Sequence, residues 1–207
     1  MGTGLNTIES IVFDLGGVMI DWNPMYVYAD YFEDPAQLAY FFDQVCTSAW
    51  NEEQDAGKSL ALAMEERIAL FPEWEQSIKD YYGRWTEMLA EQMEGTVALF
   101  RKLKNKNKWK IYALTNWSAE TFPYALQKFD FLHEFDGILV SGEEKLAKPD
   151  PAIFHLLIDR YKLIPPSTIY IDDNLRNVKA AADVGFQAIH FTSPEELSMS
   201  INNLLYD

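Results

Sequence analysis

The sequence predicts an α/β fold, a Rossmann-like parallel sheet core flanked by helices with an α-helical insertion after its first strand. Three observations predict it. Five short apolar runs are nearly continuous and rich in β-branched or aromatic residues, as strands buried on both faces are. Helical stretches separate the later runs, and such alternation builds a parallel sheet. One long interval, 21–94, does not alternate and is helical in pattern.

The runs are Ile8 to Phe13, Lys110 to Thr115, Gly137 to Val140, Thr168 to Ile171 and Gln187 to Phe191. Helices are expected from about Ser118 to Lys128 and from Asp150 to Tyr161. Asp150-Pro151 supplies an N-cap and a first helical residue, and Ile153, Leu157 and Tyr161 form an apolar stripe. Ser193-Pro194-Glu195-Glu196 reads as a capping box opening the last helix. Within the interval, Leu60, Met64 and Ile68, then Trp74, Ile78, Tyr81 and Trp85, fall at helical spacing. The chain therefore divides into a discontinuous core, 1–20 and 95–207, and an inserted helical unit, 21–94. The basic stretch from Arg101 to Lys108 sits where a helix ends before a strand; there cations suit the helix dipole, and a solvated helix end is its plain reading.

Composition narrows the function. Hydrophobic residues make up 48% of 207 and charged residues 24%, enough for a large core without a disulfide or structural metal. The net charge of −15 argues against nucleic acid as a partner, since a face that binds phosphate backbone must be basic. It says little about a local phosphate site, where one cation and one lysine reverse the sign. Cys46 is the single cysteine, which rules out an intramolecular disulfide and is compatible with a reducing compartment. The opening MGTGLNT lacks a signal peptide's basic and apolar regions, and no apolar run approaches the roughly 20 residues that span a bilayer. A cytoplasmic monomer or weak homodimer is expected. His133, His155 and His190 lack metal-ligand spacing and read as structural.

In an open parallel sheet, ligands bind beyond the carboxyl ends of the strands. Those ends read Phe13-Asp14-Leu15-Gly16-Gly17-Val18, Leu114-Thr115-Asn116, Lys148-Pro149 just after the third strand, and Ile171-Asp172-Asp173-Asn174. Each residue type has a task in phosphoryl transfer. Carboxylates bind Mg²⁺, which offsets the charge of a phosphate facing an attacking carboxylate. Thr115 and Asn116 can hold phosphate oxygens, and Lys148 balances the remaining charge. An aspartate can form an acyl phosphate that water then hydrolyses, dividing one hard step into two. The Gly16-Gly17 pair admits close backbone approach. Singly these signals are weak, because Asp-Asp, Thr-Asn and Lys-Pro also make ordinary turns. Their joint occurrence in this order carries the reading.

On these residues the chain resembles the haloacid dehalogenase-like superfamily, with all four of its motifs in order across nearly the whole chain. The inserted helices resemble the cap of its first cap class. Asp172-Asp173-Asn174 with Asn177 and Ala181 resembles the branch of glucose-1-phosphatase-like enzymes and the N-terminal phosphatase domain of soluble epoxide hydrolases. The resemblance implies that Asp14 is nucleophile and metal ligand, and that the Gly16 carbonyl and Asp173 also bind Mg²⁺, with Asp172 binding through water. It implies that Thr115 and Asn116 bind phosphate, that Lys148 contacts both phosphate and Asp14, and that Asn177 supports the site from behind.

One position departs from the pattern. Most phosphatases of the superfamily carry an acid/base aspartate two residues after the nucleophile, where this chain has Gly16. Three explanations stand: a leaving group that departs without much protonation, such as an anomeric oxygen; a substitute such as Asp21, whose plain reading is a turn residue; or a protein that binds a metabolite with little turnover. A mutase needs the missing acid. A metal-free dehalogenase has a different first motif, and a response-regulator receiver places its acidic pair before the phosphorylated aspartate. The expected activity is Mg²⁺-dependent hydrolysis of a small phosphorylated metabolite such as a sugar 1-phosphate. The alternative is a metabolite-binding or regulatory protein. Trp22, Trp50, Asn51, Asp55 and Trp117 are candidates for substrate contacts, Trp50 and Trp117 doubling as core candidates.

Overall fold

Five of the seven strands form the main sheet of the computed structural model, which describes residues 7–206. In chain order the strands are β1 (Ser10–Phe13), β2 (Ile20–Trp22), β3 (Leu89–Gln92), β4 (Lys110–Thr115), β5 (Gly137–Val140), β6 (Thr168–Asp172) and β7 (Gln187–His190). The main sheet runs β5-β4-β1-β6-β7, and every neighbouring pair is parallel. All five predicted runs are strands of it. β1 is central, with Phe13 opposite both Ala113 and Ile171. One residue further on, the Asp14 N–H still donates to the Ile171 carbonyl at 2.8 Å, so Asp14 leaves the sheet level with Asp172.

Alternation of side chains splits the strands between two cores. Ile11, Phe13, Ile111, Ala113, Ile169 and Ile171 face one side, where helices Glu94–Lys104 and Pro194–Tyr206 bring Phe100, Leu103, Leu197 and Ile201. Val12, Tyr112, Leu114 and Tyr170 face the other, against Ile153, Phe154 and Leu157 of helix Pro151–Tyr161 and Ala181 of helix Leu175–Asp183. Residues such as Phe13 and Phe100 are fully buried, each burial stabilising by about 1.5–3 kcal/mol. Asp150 caps its helix through the Ala152 N–H, at 2.9 Å. Ser193 accepts from the Glu196 N–H at 3.2 Å, while the Glu196 carboxylate turns to Thr192, so only half of the capping box forms.

Between β2 and β3 lie helices Met25–Tyr28, Pro35–Tyr40, Ser48–Asp55, Leu60–Leu70 and Glu75–Gly83, with a π-helical turn at Phe41–Val45. Thr47 and Ser59 cap two of them, accepting from the N–H groups of Trp50 and Leu62. Their centre is aromatic: the Tyr28 ring lies 4.8 Å from Phe41 and its hydroxyl donates to the Ser77 carbonyl at 2.6 Å. β2 and β3 pair antiparallel, Ile20 opposite Gln92 and Trp22 opposite Leu89, so the two ends of the helical stretch meet. This pair was not expected, because three or four residues are too short to show a strand period against a helical background. The helix expected from Ser118 begins at Phe122, since Ser118 first forms a turn in which its hydroxyl accepts from the Glu120 N–H and its carbonyl from Thr121 and Phe122. Among the described residues, no helix is long and apolar enough to cross a membrane.

Candidate active site

Asp14, Asp172 and Asp173 converge at the carboxyl edge of the sheet, each offering an oxygen within 4.8 Å of the others. The ends of β1 and β6 place them there. Lys148 lies between the first two. Its buried ammonium is 2.9 Å from Asp14 Oδ1 and 2.7 Å from Asp172 Oδ2, and donates to the Leu114 carbonyl at 3.1 Å. Three hydrogens thus meet three acceptors, so Lys148 acts on any further group through its charge.

The environments of the carboxylates differ. Asp172 is fully buried and accepts from Lys148, the Tyr170 hydroxyl (2.6 Å), the Asn174 N–H (2.9 Å) and the Asn177 amide (3.0 and 3.2 Å). Burial alone would raise its pKa, but Lys148 and these donors outweigh it, and Asp172 is held below the ordinary carboxylate range. Asp14 has fewer partners: Lys148 and its neighbour's N–H, from Leu15 at 2.8 Å, both fall on Oδ1. Burial, reinforced by Asp172, pushes the Asp14 carboxyl up despite Lys148. Asp173 is the exposed member of the set.

Three carboxylates against one ammonium leave a net charge of −2 when all are ionised. An all-oxygen donor set with that surplus suits a hard divalent cation. Gly17 makes room for the arrangement: its φ is +72°, and a Cβ there would lie 2.3 Å from Asp173 Oδ2. Gly16, by contrast, has nothing within 4 Å of where its Cβ would be.

Beside this cluster opens a cavity of about 250 Å³, lined by Gly16, Gly17, Asn116, Trp117, Ser118, Thr121 and Asp173 from the sheet side and by Trp22, Asn51, Asp55, Tyr82 and Trp85 from the insertion and its flanks. Three buried polar groups near it find no partner among the described residues: Thr115 Oγ1, Trp117 Nε1 and Trp22 Nε1. Burying a hydroxyl or indole N–H unpaired is costly, so these groups are free to donate to a further partner. Asn116 lines the cavity and is also tied to Lys148. Its amide donates to the Lys148 carbonyl and accepts from the Lys148 N–H, both at 2.9 Å, so its side chain holds the lysine's backbone.

Other candidates separate clearly. Asp21 accepts from the Tyr26 hydroxyl at 2.5 Å and does not line the cavity. Trp50 is buried against Tyr81 and donates weakly to the Ala63 carbonyl, away from the cavity. Trp117 lines the cavity and also packs edge-on against Trp85 and Phe122. The Asn177 side-chain amide donates to Asp172, and His190 meets the Asp173 carbonyl at 3.0 Å. The Arg101–Lys108 stretch is partly neutralised by Glu134 and Asp136. Sequence reasoning did not single out Tyr82, Trp85, Ser118 or Thr121. For Trp85 the only signal was a helical aromatic stripe, which core packing explains equally well.

The chain belongs to the haloacid dehalogenase-like hydrolases: that family's profile matches residues 8–185. It is therefore a hydrolase of that class, and its aspartate cluster fits a metal-dependent phosphatase. Among individual proteins it is similar to a sesquiterpene phosphatase of Aspergillus oryzae, 26% identical over 96% of this chain and 97% of the relative. It is also similar to a phosphorylated carbohydrates phosphatase of Thermotoga maritima, 23% identical over 88% and 84% of the two chains. A solved HAD family enzyme of Bacteroides thetaiotaomicron, in its magnesium complex, shares the fold with a TM-score of 0.74 at 20% identity, over 95% of this chain and 99% of that one.

Proposed function

We propose that this protein is a Mg²⁺-dependent phosphatase that hydrolyses a small phosphorylated metabolite through an aspartyl-phosphate on Asp14. The observation that carries the reading is Asp14 itself: a buried carboxylate with Lys148 on one oxygen, clustered with Asp172 and Asp173 at the carboxyl edge of the sheet. Asp14, the Gly16 carbonyl and Asp173 would hold Mg²⁺, with Asp172 reaching it through water. When bound, the cation supplies charge compensation for the phosphate.

The chain's own residues do the rest. Lys148 and its carboxylate partners fix the Asp14 side chain, so attack on phosphorus costs little reorganisation. Thr115 donates to a phosphate oxygen through the hydroxyl that otherwise stays unpaired. Helices 21–94 act as a cap, walling the cavity with Trp22, Tyr82 and Trp85 and excluding water from the reacting centre. Aromatic walls with Asn51 and Asp55 beside them offer an apolar face and polar anchors, which suits a phosphorylated sugar. The phosphatase names of the two relatives support a phosphorylated small molecule as substrate, and the Thermotoga maritima relative's name supports a carbohydrate.

A panel of phosphorylated metabolites, assayed for phosphate release with Mg²⁺, tests the proposal. Release that vanishes in Asp14→Asn and with EDTA supports it. Saturable binding without release supports instead a metabolite-binding protein, the reading that Gly16 keeps open.

A further inference from the structure

Cleaving the phosphate ester of an alcohol requires a proton for the departing oxygen, and hydrolysing an acyl phosphate requires a base for water. None of the clustered aspartates is placed for both. Asp14 is the nucleophile, Asp172 is enclosed by Lys148, Tyr170, Asn174 and Asn177, and Asp173 belongs to the cation. Gly16 has no side chain. Two carboxyl groups line the cavity: Asp173 and Asp55.

On the reading that the chain is a phosphatase, we propose that Asp55 is its general acid and base, supplied by the inserted helices from the wall of the cavity. Asp55 is the last residue of helix Ser48–Asp55 and is gripped from both sides of that cavity. The Asn51 amide donates to its carboxylate at 3.2 Å, and Asn51 is itself held by the Tyr82 hydroxyl at 3.1 Å. Ser118, in the loop that follows Thr115 and Asn116, lines the same cavity. Ser141 ties the two sides: its hydroxyl donates to the Asp55 carbonyl and accepts from the Trp117 N–H at 2.9 Å. The backbone of Asp55 is thereby tied to the loop that follows Thr115 and Asn116.

The protonation state suits the task. Burial first, then Glu52 on its own helix, push the Asp55 carboxyl up to about 7, against the pull of the Ser118 N–H and Lys148. The other titratable groups facing it are Asp173 across the cavity and Tyr81 and Tyr82 from helix Glu75–Gly83. A carboxyl balanced near neutral pH can give a proton and then take one.

The two steps balance. In the first, an Asp14 oxygen bonds to phosphorus as the bond to the leaving oxygen breaks, and that oxygen takes the Asp55 proton. In the second, Asp55 takes a proton from water, the water oxygen bonds to phosphorus, and the Asp14 carboxylate departs. Phosphate leaves, and both aspartates return to their starting states.

Asp55→Asn, assayed with Mg²⁺ on p-nitrophenyl phosphate and phenyl phosphate, separates this role from a structural one. Nitrophenolate leaves without a proton and phenolate does so poorly. The variant is expected to release one nitrophenolate per site in a burst and then turn over 10²–10⁴-fold more slowly than wild type. Its burst on phenyl phosphate is expected to be slowed strongly, and the alkaline fall of the wild-type kcat/KM near pH 7 is expected to vanish. Asp55→Ala with added formate covers the case in which asparagine disturbs the fold, and formate is expected to restore turnover. Unchanged turnover in both variants, or equal losses on both substrates with no burst and no formate rescue, overturns the role of Asp55 and leaves the phosphatase reading standing. A wild-type protein that forms no phosphoenzyme and releases no phosphate from either compound overturns both.

Discussion

The side-chain amide of Asn116 pairs with the backbone of Lys148 on both of its edges, Nδ2 to the carbonyl and Oδ1 from the N–H, each at 2.9 Å. Lys148 in turn spends its ammonium on Asp14, Asp172 and the Leu114 carbonyl. The end of β4 thereby positions the cation that positions the nucleophile. Asn116→Asp loses the donor and sets a carboxylate against a carbonyl. It is expected to destabilise the protein by about 1–3 kcal/mol, the cost of leaving the Lys148 carbonyl without its donor. Urea denaturation measures the first effect. A fall in kcat larger than the rise in KM would show that the loss reaches Asp14.

The two glycines after Asp14 are expected to behave oppositely. Gly17→Ala places a Cβ at φ +72° and 2.3 Å from Asp173 Oδ2, so stability is expected to drop by about 1–3 kcal/mol and Mg²⁺ affinity with it. Gly16→Ala meets open space and is expected to cost less than about 0.5 kcal/mol. Thermal unfolding of both variants, with and without Mg²⁺, decides the point. Equal effects would mean that Gly17 does not shape the Asp173 position.

A divalent cation that binds the folded protein alone stabilises it by mass action. Mg²⁺ at a hundred times its Kd is expected to add about 2.7 kcal/mol, and EDTA to remove that increment. Asp173→Asn is expected to abolish most of this shift, because it takes a carboxylate from the cluster while leaving the Lys148 contacts intact. A magnesium-dependent shift that survives in Asp173→Asn would place the cation elsewhere.

Asp136 gives a pH dependence away from the site. Burial would raise its pKa, but the Ile111 N–H with Lys104 and Lys110 outweighs burial and holds the carboxyl below its ordinary value. A depressed carboxyl pKa means that the unfolded chain binds more protons, so stability rises with pH through the window. The contribution is present above about pH 4 and is lost as pH falls through the folded value. Asp136→Asn is expected to be about 1–2 kcal/mol less stable than wild type at pH 7 and to converge with it toward pH 2. Denaturant titrations at the two pH values test this, and a gap of constant size would refute it.

Much of this molecule was readable from its sequence, for a definite physical reason. A parallel sheet buried on both faces demands near-continuous apolar strands, and it gathers chemistry at their carboxyl ends. Asp14, Thr115, Asp172 and Asp173 could therefore be picked out by where each apolar run stops, and Lys148 by its place just after one. Helices with polar caps were legible for a similar reason, since Asp150 acts on a backbone N–H two residues away.

Only the tertiary structure decided the remainder. Strand order depends on long-range pairing, and the β2–β3 pair joins segments too short to announce themselves. Whether Asp21 or Asp55 meets the cavity depends on the turn and helix that carry each one: Asp21 turns to Tyr26, while Asp55 meets Ser141 across 86 positions of chain. No local rule reports such a meeting, because it is fixed by how the inserted helices pack on the sheet. The sequence by itself determined a sheet edge lined with carboxylates; packing decided which side chains face it.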